Sequence, residues 1–178
     1  VAMDLCPALG VSVPVGKDSL SMRTKWEQDG TQHEVVSPVS LVVSAFASLE
    51  DVRGTWTPQV HADDELVLVD LGRGANRLGG SMLAQVRGEF GGTVPDLDDP
   101  ELLVGLAAAL TELREAGLVT AYHDRSDGGL WATLAEMAFA GAVGVEADVA
   151  DVAALFAEEL GVVLGVPAGR ADEVLELL

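Results

Sequence analysis

Cysteine is nearly absent from this chain: Cys6 stands alone, so no disulfide can form within it. Cys6 lies beside Pro7 with no histidine or cationic neighbour, which reads as a buried, inert thiol. Aromatic residues are only 4% of the sequence, too few for a surface that stacks bases or sugars. The three histidines, His33, His61 and His123, are far apart and make no zinc pattern. No apolar run approaches the roughly 18 residues of a membrane span, and no signal-peptide pattern is visible. A soluble, reducing, cytoplasmic setting is the expectation. Cations are scarce as well. Ten Lys and Arg face 29 Asp and Glu, giving a net charge of −19 that argues against nucleic acid or an anionic membrane as partner. A phosphorylated ligand would need local help, from a carboxylate-held divalent cation or from N–H groups at a helix start.

What is present is apolar residues, 49% of the chain, enough to exclude global disorder. The first third is strand-rich in pattern. Strands are expected at 11–15, 21–26 and 39–46, with Asp29-Gly30 as a turn. Residues 59–64 form a polar joint and a plausible domain boundary. Strands and helices then alternate. A strand is expected at 65–71, and helical character at 76–90, weakened by Gly79-Gly80. Asp99-Pro100 predicts a helix start, followed by Leu103, Leu106, Leu110 and Leu113 at helical spacing and Gly117 as its stop. A strand at 119–122, a helix carrying Leu130, Leu134 and Met137, and strands at 144–149 and 161–166 follow. The fold class expected is α+β: the end of a strand-rich, barrel-forming domain, then an α/β layered domain. Val at position 1, and a closing helical pattern from Ala171 without a stop, predict a piece of a longer chain.

Four constellations could carry chemistry. The sharpest is His123-Asp124-Arg125-Ser126-Asp127-Gly128-Gly129-Leu130, where a strand ends and a helix begins. Such a junction suits phosphate and its metal: the helix start offers free N–H groups, and Asp124 could ligate Mg²⁺ through oxygen. Equally, Ser126 or Asp127 could simply cap the helix and the glycines make a turn. Gly16-Lys17-Asp18-Ser19 suggests a P-loop, but that motif needs glycine where Val11 stands and Ser or Thr where Asp18 stands. It is a polar loop or an ordinary hairpin turn. Gly72-Arg73-Gly74-Ala75-Asn76-Arg77 lacks the third glycine of a dinucleotide fingerprint and reads as structural. Glu158-Glu159 are adjacent, so on a helix they would not share a face, and they read as a solvated helix end.

Gly16-Lys17-Asp18-Ser19-Leu20-Ser21-Met22 and the stretch from His123 to Leu130, with Ala135-Glu136-Met137-Ala138-Phe139-Ala140-Gly141, together resemble phosphoribosylformylglycinamidine synthase of the long, single-chain type. That family belongs to the superfamily of aminoimidazole ribonucleotide synthetase. Ser37-Pro38, Ala45-Phe46-Ala47 and the stretch from Phe156 to Gly161 fit the same pattern, so the resemblance covers essentially the whole chain. It implies a ligase of purine biosynthesis that uses ATP and glutamine to convert formylglycinamide ribonucleotide to the amidine. ATP activates the substrate amide oxygen, and ammonia from a glutaminase domain displaces phosphate. It implies that residues 1–60 are the C-terminal part of the second synthetase N-type domain and residues 61–178 most of the second C-type domain. By residue, it implies Asp124 as a Mg²⁺ ligand, Ser126 and Gly16 as ATP or ADP contacts and Ser19 as a contact to the substrate ribonucleotide. No catalytic residue, glutaminase triad or activating histidine has a counterpart here. The remaining synthase domains and the glutaminase domain would be its partners. Lys17 stands where the short enzymes have Asn, so no metal role carries over to it. Two other readings stay open: a non-catalytic packing module, or a relative of selenophosphate synthetase or thiamine-phosphate kinase.

Overall fold

The computed structural model describes residues 1–19, 21–37 and 39–178. Leu20 and Pro38, which contribute to the resemblance, lie outside the described residues. The chain divides into two units, Val1–Arg53 and Gly54–Leu178.

The first unit opens with a single helical turn, α1 (Leu5–Ala8), in which Cys6 is half-buried rather than buried. Strands β1 (Arg23–Gln28) and β2 (Thr31–Val36) then pair antiparallel, with Gln28 opposite Thr31 and Arg23 opposite Val36. Asp29 and Gly30 both have positive φ, the requirement of the tight turn whose twist matches a hairpin. Across the pair, Trp26 stacks on His33 at 5.1 Å, and Arg23 and Lys25 both reach Glu34 at 3.1 Å.

The strands expected at 11–15 and 39–46 do not form among the described residues. A strand needs a ladder partner for its N–H and C=O groups, and no described strand of this unit pairs with either run. Val42 and Phe46 are 86% and 94% exposed, so burial does not compensate.

The second unit is layered. Strands β3 (Glu65–Asp70), β4 (Ala121–Asp124) and β5 (Gly161–Val166) form a sheet in the order β3-β5-β4, with each neighbouring pair antiparallel. The strands β3 and β4 therefore run parallel to each other on either side of β5. All six residues of β5 are buried, as expected for a central strand covered on both faces. Its side chains alternate between two cores. Val162, Leu164 and Val166 pack with Val67, Leu106, Leu113, Leu118 and Val174 on one face. Val163 packs with Val60, Ala121, Leu130 and Met137 on the other.

The first core lies under α3 (Pro100–Ala116) and α6 (Ala171–Leu177), the second under α4 (Gly129–Gly141). Helix α3 begins where the sequence predicts: the Asp99 carboxylate accepts from Glu101 N–H at 3.1 Å, and Pro100 is its first residue. It ends at Gly117, in the left-handed region. Leu113 and Met137 are fully buried, each contributing about 1.5–3 kcal/mol by leaving water.

The helical pattern at 76–90 yields only α2 (Met82–Arg87). Gly79 N–H donates to Thr93 O at 2.8 Å, and a Cβ on Gly79 would lie 2.5 Å from that oxygen. The backbone there is committed to a loop contact, and the helix waits for Ser81 to cap it. The short helix α5 is Val152–Phe156. Residues 144–149 form no strand: Val149 packs against the second core, but no ladder partner is present among the described residues. No helix among the described residues is long and apolar enough to cross a membrane.

Candidate functional site

Because β3 and β4 are parallel and β5 opposes them, one end of the sheet gathers three chain segments. The last residues of β3 (Asp70) and β4 (Asp124) meet the residues that lead into β5 (Glu158, Glu159). Polar side chains at this end cannot all face water, and the structure pairs those that do not.

Arg125 follows Asp124 and turns inward, its side chain only 1% exposed. It donates to Glu159 O at 2.6 Å and to Leu160 O at 3.3 Å, and pairs with the Asp70 carboxylate. Burial alone would raise the Asp70 pKa. The bond to Arg125 and backbone N–H donors from Gly74 and Gly72 outweigh it and hold the carboxyl below its usual range. Glu159 is fully buried. Arg77 grips it in a two-pronged ion pair, Nε to Oε1 and Nη2 to Oε2 each at 2.8 Å, and its own N–H donates to Oε1 at 2.9 Å. That grip lowers the Glu159 pKa against the cost of burial. The expected solvated helix end at Glu158-Glu159 is therefore corrected: one carboxylate is in the core, and the other is half-buried and bonded.

The exposed counterpart of this network is the turn 124–129. Asp124 ends β4 with its side chain 63% exposed. The Ser126 hydroxyl donates to its Oδ2, and His123 Nδ1 lies 3.6 Å from Oδ1. The Ser126 bond is the main reason the Asp124 carboxyl stays below its ordinary pKa, with His123 adding to it. His123 is held from the far side by Glu136 of α4, Nε2 to Oε2 at 2.7 Å. Gly128 and Gly129 both have positive φ, and a Cβ on Gly129 would sit 2.7 Å from the Phe156 carbonyl carbon. Only glycine lets α4 begin so close to the segment entering β5.

Helix α4 has no side-chain cap. Ser126 spends its hydroxyl on Asp124, and the Asp127 side chain makes no hydrogen bond among the described residues. The reading of these residues as simple caps fails on that geometry. Gly128 N–H donates instead to Glu158 Oε1 at 2.8 Å, and the same oxygen accepts from Met82 N–H, at the start of α2, at 2.8 Å.

The donor set fits one class of metal binding and not another. No group of three or more His, Cys, Asp or Glu that could cage an ion exists among the described residues. One ionised, exposed carboxylate suits Mg²⁺, which commonly takes one or two carboxylates and completes its shell with water and ligand phosphates.

The structure brings Asp124 and Ser126 together. Gly16 and Ser19 belong to the first unit. There the Ser19 hydroxyl accepts from Lys17 Nζ, which also donates to Asp18 O at 3.0 Å. Residues 11–19 make no hairpin turn. Asp70 stood in none of the constellations expected from sequence, and Arg77 and Glu158 stood in two that read as structural and as a solvated helix end. The one available signal was the uniformly apolar run 161–166: a strand buried on both faces draws the residues before it toward the core.

The second unit is thus a three-layer domain, helices on both faces of an antiparallel sheet, with a polar turn at the sheet end. Residues 61–178 match the family model described as AIR synthase related protein, C-terminal domain, and the chain belongs to that family. Residues 1–48 match the FGAR-AT PurM_N-like domain. The resemblance carried by the motifs at 16–22 and 123–130 is borne out by these two matches. Among solved structures, PurL of T. maritima complexed with ATP is similar at 20% identity and a TM-score of 0.49, over 68% of this chain and 20% of that one. PurLQS from Thermotoga maritima is similar at 18% identity and a TM-score of 0.48, over 68% and 21%. The chain spans about a fifth of the length of these structures.

Proposed function

We propose that this chain is part of an ATP-dependent synthase of purine biosynthesis, which converts formylglycinamide ribonucleotide and glutamine to the amidine. Residues 1–60 are the end of its second N-type domain, and residues 61–178 most of the C-type domain that follows. The single observation that carries this reading is the order of two family matches in one chain, an FGAR-AT PurM_N-like domain at 1–48 followed by an AIR synthase C-terminal domain at 61–178. A selenophosphate or thiamine-phosphate relative is not favoured by that pairing. The glutaminase domain and the remaining synthase domains supply what this stretch lacks.

Within this reading the turn 124–129 binds the phosphates of ATP or ADP. Asp124 holds Mg²⁺, which offsets the chain's negative field at the phosphates. Ser126 keeps the Asp124 carboxylate ionised and aimed, and contacts the nucleotide. In the first unit Gly16 contacts nucleotide and Ser19 the substrate ribonucleotide. The ionised, solvent-facing state of Asp124 supports its role, since a carboxylate must be deprotonated to hold a metal.

The test is thermal unfolding of the full-length protein with and without Mg-ADP, for wild type and Asp124→Ala. A ligand that binds only the folded state raises the midpoint with its concentration. Wild type is expected to show that rise only with Mg²⁺ present, and Asp124→Ala to lose it. An equal rise in both proteins removes Asp124 from the site.

A further inference from the structure

The geometry points to Glu158 as the positioning residue of the turn 124–129: by taking the Gly128 N–H at the start of α4 from outside the turn, it leaves the Ser126 hydroxyl to the Asp124 carboxylate and the Asp127 side chain exposed to a ligand. This inference rests on the nucleotide reading above.

A helix start leaves backbone N–H groups without partners, and a nearby Ser or Asp ordinarily satisfies one of them. Both residue types precede α4, at Ser126 and Asp127, and neither does so. The acceptor comes from 30 residues away in sequence. Glu158 Oε1 takes Gly128 N–H at 2.8 Å, and 76 residues away it takes Met82 N–H at 2.8 Å. Its negative charge is also favoured at the positive end of α4. The backbone of the turn is closed by Gly129 N–H to Ser126 O at 3.0 Å, so fixing Gly128 fixes Ser126.

Without the Glu158 carboxylate, the acceptors left beside Gly128 in the chain are the Ser126 hydroxyl and the Asp127 carboxylate. Either would restore the cap, and either would draw the turn away from Asp124. Truncation should therefore leave the helix nearly as stable while disarming the turn. A purely structural role predicts the reverse pattern.

The experiment measures Mg-ADP affinity by calorimetry on the full-length protein for wild type, Asp124→Ala, Glu158→Ala, Glu158→Gln and Glu158→Asp. Amide hydrogen exchange at Gly128 and Met82 is followed without ligand. Residues that orient metal ligands typically govern affinity by about ten- to a hundredfold, so Glu158→Ala is expected to weaken binding by about tenfold. Glu158→Gln keeps an acceptor oxygen at the same reach and is expected to restore most of the affinity. Glu158→Asp is a methylene too short to reach both amides and is expected to resemble Glu158→Ala. Protection of Met82 should fall in the Ala and Asp variants and persist in Gln, whereas Gly128 keeps its protection through the substitute cap.

Unchanged affinity in Glu158→Ala alongside a loss in Asp124→Ala overturns the positioning role and leaves the nucleotide site standing. Unchanged affinity in Asp124→Ala overturns the site, and the positioning role with it. Should Glu158→Ala fail to fold, Glu158→Asp decides: weakened binding supports the role, and wild-type binding overturns it.

Discussion

Two polar segments in this molecule are written in nearly the same residues, and among the described residues one of them is tied to distant parts of the fold. Gly16-Lys17-Asp18-Ser19 contains a glycine, a cation, a carboxylate and a hydroxyl. So does the stretch 124–129. In the first, among the described residues, the bonds of Lys17 reach one and two positions along the chain, and nothing lies within 4 Å of where a Cβ on Gly16 would sit. In the second, bonds from Arg125 and Gly128 cross 55, 34 and 30 residues, to Asp70, Glu159 and Glu158. A polar run becomes a shaped surface when distant parts of the fold fix its backbone. The residues within the run do not decide it.

The sharpest way to break this contrast is to remove the buried support. Glu159→Ala leaves Arg77 with Asp98 and the Asp96 carbonyl in place of its bidentate partner, and removing one member of a pair whose carboxylate is fully buried is strongly destabilising. Urea unfolding followed by circular dichroism should show a large fall in midpoint, and a wild-type midpoint would mean the network is not what separates the turns. Acid offers a second view of the same pair. Glu159 and Asp70 both have folded pKa values below their ordinary ones. Their contribution is complete above the usual carboxylate range and is lost as pH falls through the lower, folded values. Glu159→Gln should therefore flatten the acid limb of the stability curve.

A smaller effect is expected at the start of α4. Gly129→Ala places a methyl group 2.7 Å from the Phe156 carbonyl carbon, on a residue with φ of +65°. Overpacking and a strained φ together should cost about 1–3 kcal/mol. The smallest effect belongs to the segment 16–19. Lys17→Ala removes bonds that, among the described residues, reach Asp18 and Ser19, and should change stability by less than about 0.5 kcal/mol. A loss comparable to that of Gly129→Ala would show the segment 16–19 to be held after all.

The same distinction marks how much could be read from sequence. Helix α3 was legible because each of its signals is local: Asp99 and Pro100 at its start, leucines at 103, 106, 110 and 113, and Gly117 at its end. The Asp29-Gly30 turn and the β5 run were legible for the same reason, whereas β2, the strand that follows the turn, was not expected. The runs at 11–15, 39–46 and 144–149 looked like strands because alternation and β-branched residues record a preference, and pairing needs a partner that local pattern does not reveal. At the candidate site, Asp124 and Ser126 stood out as a polar cluster at a strand–helix junction. Glu158 and Glu159 did not, because adjacent carboxylates read as solvated until Arg77, 82 residues from Glu159, is seen to grip one of them. No local rule carries that pairing.

The alternation of Asp124, Arg125 and Ser126 has a consequence for engineering. The outer two side chains face solvent while the middle one is sunk among Asp70 and the carbonyls of Glu159 and Leu160. The tripeptide is at once a surface and a root, so it is not portable. A graft of this loop onto another scaffold would need a host that already offers a carboxylate at the neighbouring strand's end and two carbonyls behind it.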